Sequence, residues 1–252
     1  MIGVLLALSA LARPPGFEPD LSFKETVLIA PKCVPGTHQT WDIKGAIEGR
    51  SHGRDRRDGG RIDTPIRLGW ERRVSLECLS NSPLKLRMRM SFAGEDAGFA
   101  LLMDMPDWET FTVTEVEAVT DEARKAGETW KLRGNLRDTL AWVFPPMAKD
   151  SPKTGESWDG GWALELGPWW DCHGRVEAGA VEGDARAFSL RGRCEQISYN
   201  GTNRVSGTFM REDAGFGVVS ALWKVDSDWE HYDLHNDTEQ LYTVTRVEEK
   251  GP

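Results

Sequence analysis

A cluster of carboxylates near the C-terminus is the part of the sequence best suited to binding a cation. Its members alternate with other residues and are Asp226, Asp228, Glu230, Asp233, Asp237 and Glu239. Carboxylate oxygens are preferred ligands of Ca²⁺, and ligands from one loop can converge on the ion. The predicted calcium ligands are Asp226, Asp228, Glu230 and Asp233. The segment lacks the glycine and final glutamate of an EF-hand loop, so a solvated acidic loop is the competing interpretation, and no other cofactor is expected.

Two histidines in the same segment offer a second metal chemistry. His231 and His235 are four residues apart, a spacing that would place both imidazoles on one face of a helix. The general-base glutamate of an HExxH site is absent, as are GxSxG, a phosphate-binding glycine loop and a dinucleotide fingerprint. We therefore assign no catalytic residue, and a hydrolase is only the third functional hypothesis.

Tryptophan is unusually abundant, with 11 residues in the chain. Trp162 shares a strand-like alternation with two leucines, whereas the adjacent Trp169 and Trp170 would point to opposite faces of an extended chain. An exposed ring would suit a sugar or an apolar ligand. Trp162, Trp169 and Trp170 are therefore the predicted ligand-binding residues, and packing inside the core is the alternative.

The chain has four cysteines, Cys33, Cys78, Cys172 and Cys194, and none of them forms a CxxC pair. This spacing argues against a four-thiolate zinc site. An even number of cysteines in an oxidising compartment favours disulfides. We predict the pairs Cys33 with Cys78 and Cys172 with Cys194, although four cysteines allow three connectivities.

Four sequence words occur twice and in the same order. The words of the first copy are Trp41–Glu48, Glu95–Phe99, Asp107–Glu109 and Thr112–Glu117, and those of the second are Trp170–Glu177, Glu212–Phe216, Asp228–Glu230 and Thr243–Glu248. Such self-similarity indicates duplication of a supersecondary unit. Within a copy, apolar residues recur at every second position, as from Leu84 to Phe92, which predicts half-buried strands.

Two local features are predicted in both copies. The Glu-Asp-Ala-Gly-Phe word lies between apolar runs and predicts a hairpin turn, in which Gly98 and Gly215 would adopt positive φ. Further along, the apolar parity changes between Val113 and Val116, and again before Val247. This change predicts a β-bulge in each copy.

The segment between the copies has helical signals. Thr120 precedes a run of acidic residues and predicts a helix that begins after it and stops at Gly127. A second short helix with Leu136 and Leu140 on one face would end before Pro145.

The residues that follow, Phe144-Pro145-Pro146 and then Lys153-Thr154-Gly155-Glu156-Ser157-Trp158, carry a resemblance. This Phe-Pro-Pro and Lys-x-Gly-Glu-Ser-Trp pattern resembles a group of uncharacterised bacterial exported proteins and lipoproteins that are expected to form half-barrel sheets. The resemblance implies a curved sheet and implies no activity. A lipobox cysteine is missing from this chain.

The N-terminal segment indicates the cellular compartment, and the composition disfavours some classes of partner. Residues 1–12 are apolar, end in small residues and are followed by Arg13-Pro14-Pro15, which predicts a signal peptide and an exported protein. A net charge of −9 disfavours nucleic acid and anionic membrane surfaces as partners. No segment is long enough to span a membrane. An arginine-rich segment at 50–73 contains interspersed aspartates and glycines and is interpreted as a solvated loop rather than a polyanion site.

These observations predict a mainly β, antiparallel, internally duplicated curved sheet or half-barrel, or a sandwich, of about eight to ten strands with a short central helical segment. The predicted segments are a signal peptide (1–12), an N-terminal extension with the first strand (13–36), β repeat 1 (37–119), a helical and proline-rich connector (120–160) and β repeat 2 (161–252). The leading functional hypothesis is an exported, non-catalytic binding protein for an apolar or glycan ligand. A structural or protein-interaction module of the cell envelope is the second, and the oligomeric state stays open.

Overall fold

The computed structural model describes residues 31–54, 59–92, 94–105, 112–132, 135–145, 147–161, 170–196, 200–213, 215–231 and 234–248. The predicted signal peptide therefore lies outside the described residues. The eleven strands are β1 (His38–Arg54), β2 (Arg61–Asn81), β3 (Leu84–Phe92), β4 (Glu95–Met105), β5 (Thr112–Ala118), β6 (Ser157–Gly161), β7 (Trp170–Glu182), β8 (Ala185–Gln196), β9 (Asn200–Glu212), β10 (Ser220–His231) and β11 (Leu234–Val247). Two helices, α1 (Asp121–Leu132) and α2 (Asn135–Val143), lie between β5 and β6.

The strands form one antiparallel, open, curved sheet, which confirms the predicted fold class. Its strand order is β5-β4-β3-β2-β1-β11-β10-β9-β8-β7-β6. Strands β1–β5 make one meander and β7–β11 another, and the repeated Trp-Asp word lies in the first strand of each. The two meanders join where β1 pairs with β11, from Thr40 opposite Val247 to Gly53 opposite Leu234.

One face of the sheet, here called the inner face, carries the core. Alternate residues of β2 and β3 are buried, including Val74, Leu76, Leu86 and Met88, as their alternation predicts. The helices pack on the same face, where the indole of Trp142 lies between other rings. Its ring centroid is 4.2 Å from that of Tyr242 and 5.8 Å from that of Trp70. The connector thus covers the seam between the two meanders.

The sequence signals predict three of the four helix ends, and two of these three predictions are confirmed. Thr120 accepts a hydrogen bond at its Oγ1 from the Ala123 amide, which is the predicted N-cap. Helix α2 ends at Val143, before Phe144-Pro145, as predicted. The predicted stop at Gly127 is wrong, because α1 continues to Leu132. A Cβ at Gly127 would lie 2.5 Å from the side chain of Val116, so this glycine permits close packing of the helix on β5.

The β-bulge is present in the first copy and absent from the second. The register of β4 and β5 shifts between Leu102 and Met103, which leaves Thr114 as the extra residue. Strand β11 pairs with both β10 and β1 in continuous register, so the prediction for the second copy is wrong. The difference follows from position, since a bulge in an edge strand such as β5 interrupts one hydrogen-bonded ladder and a bulge in β11 would interrupt two.

The repeated Glu-Asp-Ala-Gly-Phe word does not form the hairpin turn that its composition predicts. In the first copy Glu95 and Asp96 begin β4, and a register shift opposite Met90 accommodates Gly98, which has the predicted positive φ of 72°. In the second copy Glu212 ends β9, Ala214 lies outside the described residues, and the positive φ, 85°, falls on Gly217 instead of Gly215. The same residues therefore serve as a bulge in one copy and as a loop in the other.

Candidate ligand-binding site

A groove crosses the second meander on the face of the sheet opposite the core. We call it the outer groove, and its volume is about 470 Å³. Two adjacent cross-strand rows of outward-facing residues line it. One row contains Glu177, Ser189, Thr208, Leu222 and Thr243, and the other contains Gly179, Ala187, Met210, Ser220 and Thr245. The groove therefore draws residues from five consecutive strands, β7 to β11.

Small side chains account for the concavity. Gly179, Ala187, Ser189 and Ser220 have few or no atoms beyond Cβ, so the sheet surface between them is not filled. Beneath the groove the inner face is tightly packed, since the rings of Phe188 and Phe209 stack at 4.8 Å and Phe209 also contacts Trp223 at 5.6 Å. The groove thus has a rigid floor of backbone supported by an aromatic core.

The chemistry of the groove is largely neutral. Among the described residues that line it, Glu177 alone is charged. Leu222 exposes 45% of its surface and supplies apolar contact area. The hydroxyl groups of Ser189, Thr208 and Thr243 supply hydrogen-bond donors and acceptors. Small-molecule sites combine such apolar surface with a few polar groups and typically have volumes of ~300–1,000 Å³.

The predicted calcium ligands lie on a β-hairpin rather than in a loop. Asp226, Asp228 and Glu230 are exposed on the outward face of β10, and Asp233 lies outside the described residues. Same-face residues in an extended strand are ~7 Å apart, too far to converge on one ion from the side chains of a single strand. Lys224 instead neutralises Asp226 at 3.2 Å and Glu239 at 2.6 Å. Across the described ranges, no group of three or more His, Cys, Asp or Glu side chains is arranged to hold a metal.

The two histidines do not share a helix face, so that interpretation is wrong. His231 ends β10 and His235 lies in β11, where it pairs in register with Glu230 and with His52 of β1. The imidazole centroids of His52 and His235 are 4.7 Å apart, and Asp228 Oδ1 lies 3.3 Å from His235 Nε2. The sheet therefore creates a histidine pair from opposite ends of the chain, which local spacing cannot reveal.

The predicted aromatic ligand site is not tested by the described structure. Trp162 and Trp169 lie outside the described residues, and of Trp170 only the backbone, at the start of β7, is described. Trp158, from the neighbouring strand β6, is 7% exposed and packs edge-on to Phe188 with a centroid distance of 6.3 Å.

The arginine-rich segment is a β-hairpin, and its interpretation as a loop is wrong. Arg50 and Arg54 lie in β1, Arg61 and the following residues lie in β2, and residues 55–58 are outside the described part of the chain. Arg50 forms an ion pair with Asp63 at 3.0 Å across the two strands. The alternation of Ile62, Thr64, Ile66 and Leu68 was the available signal for a strand, but the glycines and charges obscured it.

One of the two predicted disulfides is present. Cys33 and Cys78 are bonded, with their Cα atoms 6.0 Å apart, and Cys78 is 1% exposed. Cys172 lies directly opposite Cys194 in the register of β7 and β8, although the side chains of both lie outside what the structure describes. The second disulfide therefore stays a prediction.

The groove residues were missed by the sequence analysis, since serine and threonine at alternate strand positions are also typical of ordinary solvent-facing residues.

A buried amide was missed as well. The side chain of Asn203 is fully buried on the inner face, and neither its Nδ2 nor its Oδ1 has a hydrogen-bond partner among the described residues. Also, no helix among the described residues has both the length and the apolar character to cross a membrane.

Comparison with known proteins assigns no family. No family model matches the chain, and no curated protein matches it. Among solved structures, an outer membrane channel of Pseudomonas putida F1 aligns with 86% of this chain and 97% of its own, at 10% identity and a TM-score of 0.26. The ywiB protein of Bacillus subtilis aligns with 84% of this chain and 94% of its own, at 8% identity and a TM-score of 0.13. At these TM-scores neither likeness bears on function.

Proposed function

We propose that this chain is an exported, non-catalytic binding protein that holds a small, mainly apolar ligand in the outer groove. The observation that carries the proposal is the groove itself, about 470 Å³ of space with a nearly uncharged lining on a sheet with a packed aromatic core. A preformed site reduces the entropy that binding would otherwise cost.

The lining favours an apolar ligand with a neutral polar group. Leu222 and Met210 offer exposed or partly exposed apolar surface, whose burial against a ligand would contribute roughly 25 cal/mol per Å². The hydroxyl groups of Thr208 and Thr243 lie in the same row and can orient a carbonyl or hydroxyl group of the ligand.

The disulfide supports the exported location in the proposal. Cys33–Cys78 links the extension before β1 to β2, and such bonds persist mainly in oxidising compartments. Removal of residues 1–12 by signal peptidase belongs to the same proposal, and N-terminal sequencing of protein from its native host would test it.

The function is tested first with native mass spectrometry of protein purified from its own host, which should show a retained small ligand. Titration with a fluorescent apolar probe should then show saturable binding. Thr208→Trp places an indole in the groove and should weaken binding at least tenfold. The matched control is Ser206→Trp, on the same strand and face but outside the groove, and it should bind as the wild type does. Equal binding by both variants, or a retained glycan whose binding Thr208→Trp does not change, would contradict the proposal.

A further inference from the structure

Two arginines with largely buried side chains occupy directly paired positions on the inner face of the second meander. Arg186 of β8 lies directly opposite Arg211 of β9. This pair is two residues along each strand from the stacked rings of Phe188 and Phe209. The side chain of Arg186 is 11% exposed and that of Arg211 is 8% exposed. Two like charges in a directly paired cross-strand position repel each other, and the repulsion is stronger where water is excluded.

The contacts of Arg211 are long for a buried guanidinium group. Its Nη1 and Nη2 donate to the carbonyl oxygens of Asp150 and Gly215, each at 3.5 Å, and its nearest carboxylate oxygen, Asp150 Oδ1, is 4.0 Å away. Charge-assisted N–H···O bonds are usually ~2.7–2.9 Å long. The guanidinium group of Arg211 is therefore desolvated without a well-placed acceptor in the described structure.

Arg186 is also incompletely satisfied. Its Nη1 donates to Thr154 Oγ1 and to the Gly179 carbonyl, both neutral acceptors, at 3.0 Å. Its Nε is buried and has no hydrogen-bond partner in the described part of the chain, and Asp213 Oδ1 lies 3.9 Å from it. A buried donor without an acceptor is costly, and the cost is greater for a charged group.

The carboxylates of Asp150 and Asp213 lie 4.0 and 3.9 Å from the two guanidinium groups, which is long for a charge-assisted hydrogen bond. Asp150 also forms an ion pair with Lys32 at 2.5 Å. Glu212 accepts hydrogen bonds from both terminal nitrogens of Arg246, which hold the pKa of Glu212 below its ordinary value. Burial lowers the pKa of Arg211 even though Asp150 and Asp213 act in the opposite direction.

From this geometry we propose that Arg186 and Arg211 form a binding site for an oxyanion, either a phosphate or a carboxylate group. The planar guanidinium group presents paired N–H donors that match both anions, and an anion between two such groups would offset their repulsion. The hydroxyl of Thr154, which accepts a hydrogen bond from Arg186, lies in an exposed turn, so this side of the pair is close to solvent. The site lies on the face of the sheet opposite the outer groove and does not depend on its occupancy.

The test uses the full chain and two probes, inorganic phosphate and acetate, each compared with chloride at the same ionic strength and pH. At least one probe should raise the melting temperature in a saturable manner and bind in isothermal titration calorimetry. Binding of phosphate alone would identify a phosphoryl ligand, and binding of acetate alone would identify a carboxylate ligand. If neither probe binds the wild-type chain at concentrations up to tens of millimolar, the proposal is wrong.

Variants locate the site. Arg186→Gln and Arg211→Gln should each weaken binding at least tenfold. Arg191→Gln and Arg204→Gln remove exposed, outward-facing arginines from the same two strands and should leave binding within twofold of the wild type. If Arg211→Gln does not fold, the binding of Arg186→Gln tests the assignment. This variant should fold because it keeps the more deeply buried guanidinium group of Arg211. Unchanged binding in a folded Arg186→Gln variant would overturn the assignment.

Discussion

The two meanders share an inner face and differ on the outer one. In the first, the outer face is covered by ion pairs: Arg73 with Asp42, at 2.7 Å, and Arg87 with both Glu77 and Glu117, at 2.9 and 3.0 Å. In the second, part of the corresponding surface is the outer groove. Cys78 and Cys194 lie 17 and 18 residues before the repeated Glu-Asp-Ala-Gly-Phe word, so we take them as equivalent positions. Counting back five and seven residues from them places Ser189 at the position of Arg73 and Ala187 at that of Glu71. Arg73 and Glu71 thus correspond to small neutral residues in the second copy, whereas Arg87, eight residues before Glu95, corresponds to the charged Arg204, eight residues before Glu212.

This difference shows which positions of a duplicated sheet can change with little loss of stability. Exposed ion pairs contribute only ~0–1 kcal/mol each, so replacing them with serine or alanine changes the stability little. An inner-face position is more constrained, since each methylene group buried there contributes roughly 0.8 kcal/mol. The outer face of one copy was therefore free to acquire a groove while both inner faces kept the core.

One pair of equivalent inner-face positions holds a polar residue in the second copy and an apolar residue in the first. Asn203 precedes Glu212 by nine residues, and Leu86 precedes the equivalent Glu95 by nine residues. Both side chains are fully buried, but Leu86 is apolar and the amide of Asn203 has no partner. The second copy therefore carries a destabilising group where the first has an ordinary core residue.

The largest expected effect concerns the disulfides. Replacing Cys33 and Cys78 together with alanine should lower the free energy of unfolding by about 3–4 kcal/mol, because the bond closes a loop with a sequence separation of 45 residues. If Cys172 and Cys194 are also bonded, their double replacement should cost about 3 kcal/mol. Urea denaturation without reductant would measure both losses in the free energy of unfolding.

Thiol labelling is the control for this experiment. The wild-type chain should label at no cysteine until it is reduced. Labelling of Cys172 and Cys194 without reduction, together with a loss below about 0.5 kcal/mol in their double variant, would show that only the first copy is cross-linked.

An intermediate effect is expected at two glycines that lie beneath tryptophan rings. A Cβ on Gly207 would lie 2.2 Å from the ring of Trp223, and a Cβ on Gly45 would lie 2.4 Å from the ring of Trp70. Gly207→Ala should cost about 2–3 kcal/mol because Trp223 is 1% exposed and cannot shift freely. Gly45→Ala should cost about 1–2 kcal/mol because Trp70 is only partly buried.

Thermal and urea denaturation would measure both losses, and Gly69→Ala is the matched control. A Cβ there would contact only the Gly45 carbonyl oxygen, at 3.9 Å, so stability should change by less than about 0.5 kcal/mol. Equal losses at Gly45 and Gly207 would show that the two ring environments are equally rigid, contrary to the difference in burial.

The smallest expected effect is a gain. Asn203→Leu gives the second copy the residue of the first and should raise the free energy of unfolding by about 1–2 kcal/mol, since it removes an unpartnered buried amide. Urea denaturation would measure this gain, with Ser206→Leu on the outer face as the control. A loss of stability in Asn203→Leu would mean that the amide has a role that the comparison of the copies does not capture.

Several features of the fold could be predicted because their signals are local. Alternating apolar residues such as Leu84, Leu86 and Met88 identify both a strand and its buried face. The cap at Thr120 and the end of α2 before Pro145 depend on one or two residues each. The arginine-rich hairpin of β1 and β2 was missed because its charges and glycines are also typical of loops. The strand that pairs with the other edge of β1, β11, is distant in sequence.

The sequence by itself determined the duplication, the antiparallel β class and the inner-face residues, because periodicity and residue type act over short distances. It favoured the Cys33–Cys78 pair among three connectivities, and the fold brings these two cysteines together. The tertiary structure decided which outward-facing residues become neighbours. The outer groove needs five strands in register, the His52 and His235 pair needs β1 beside β11, and the Arg186 and Arg211 pair needs β8 beside β9. Pairing register sets these neighbours, and a one-residue slip would turn each of these side chains to the opposite face.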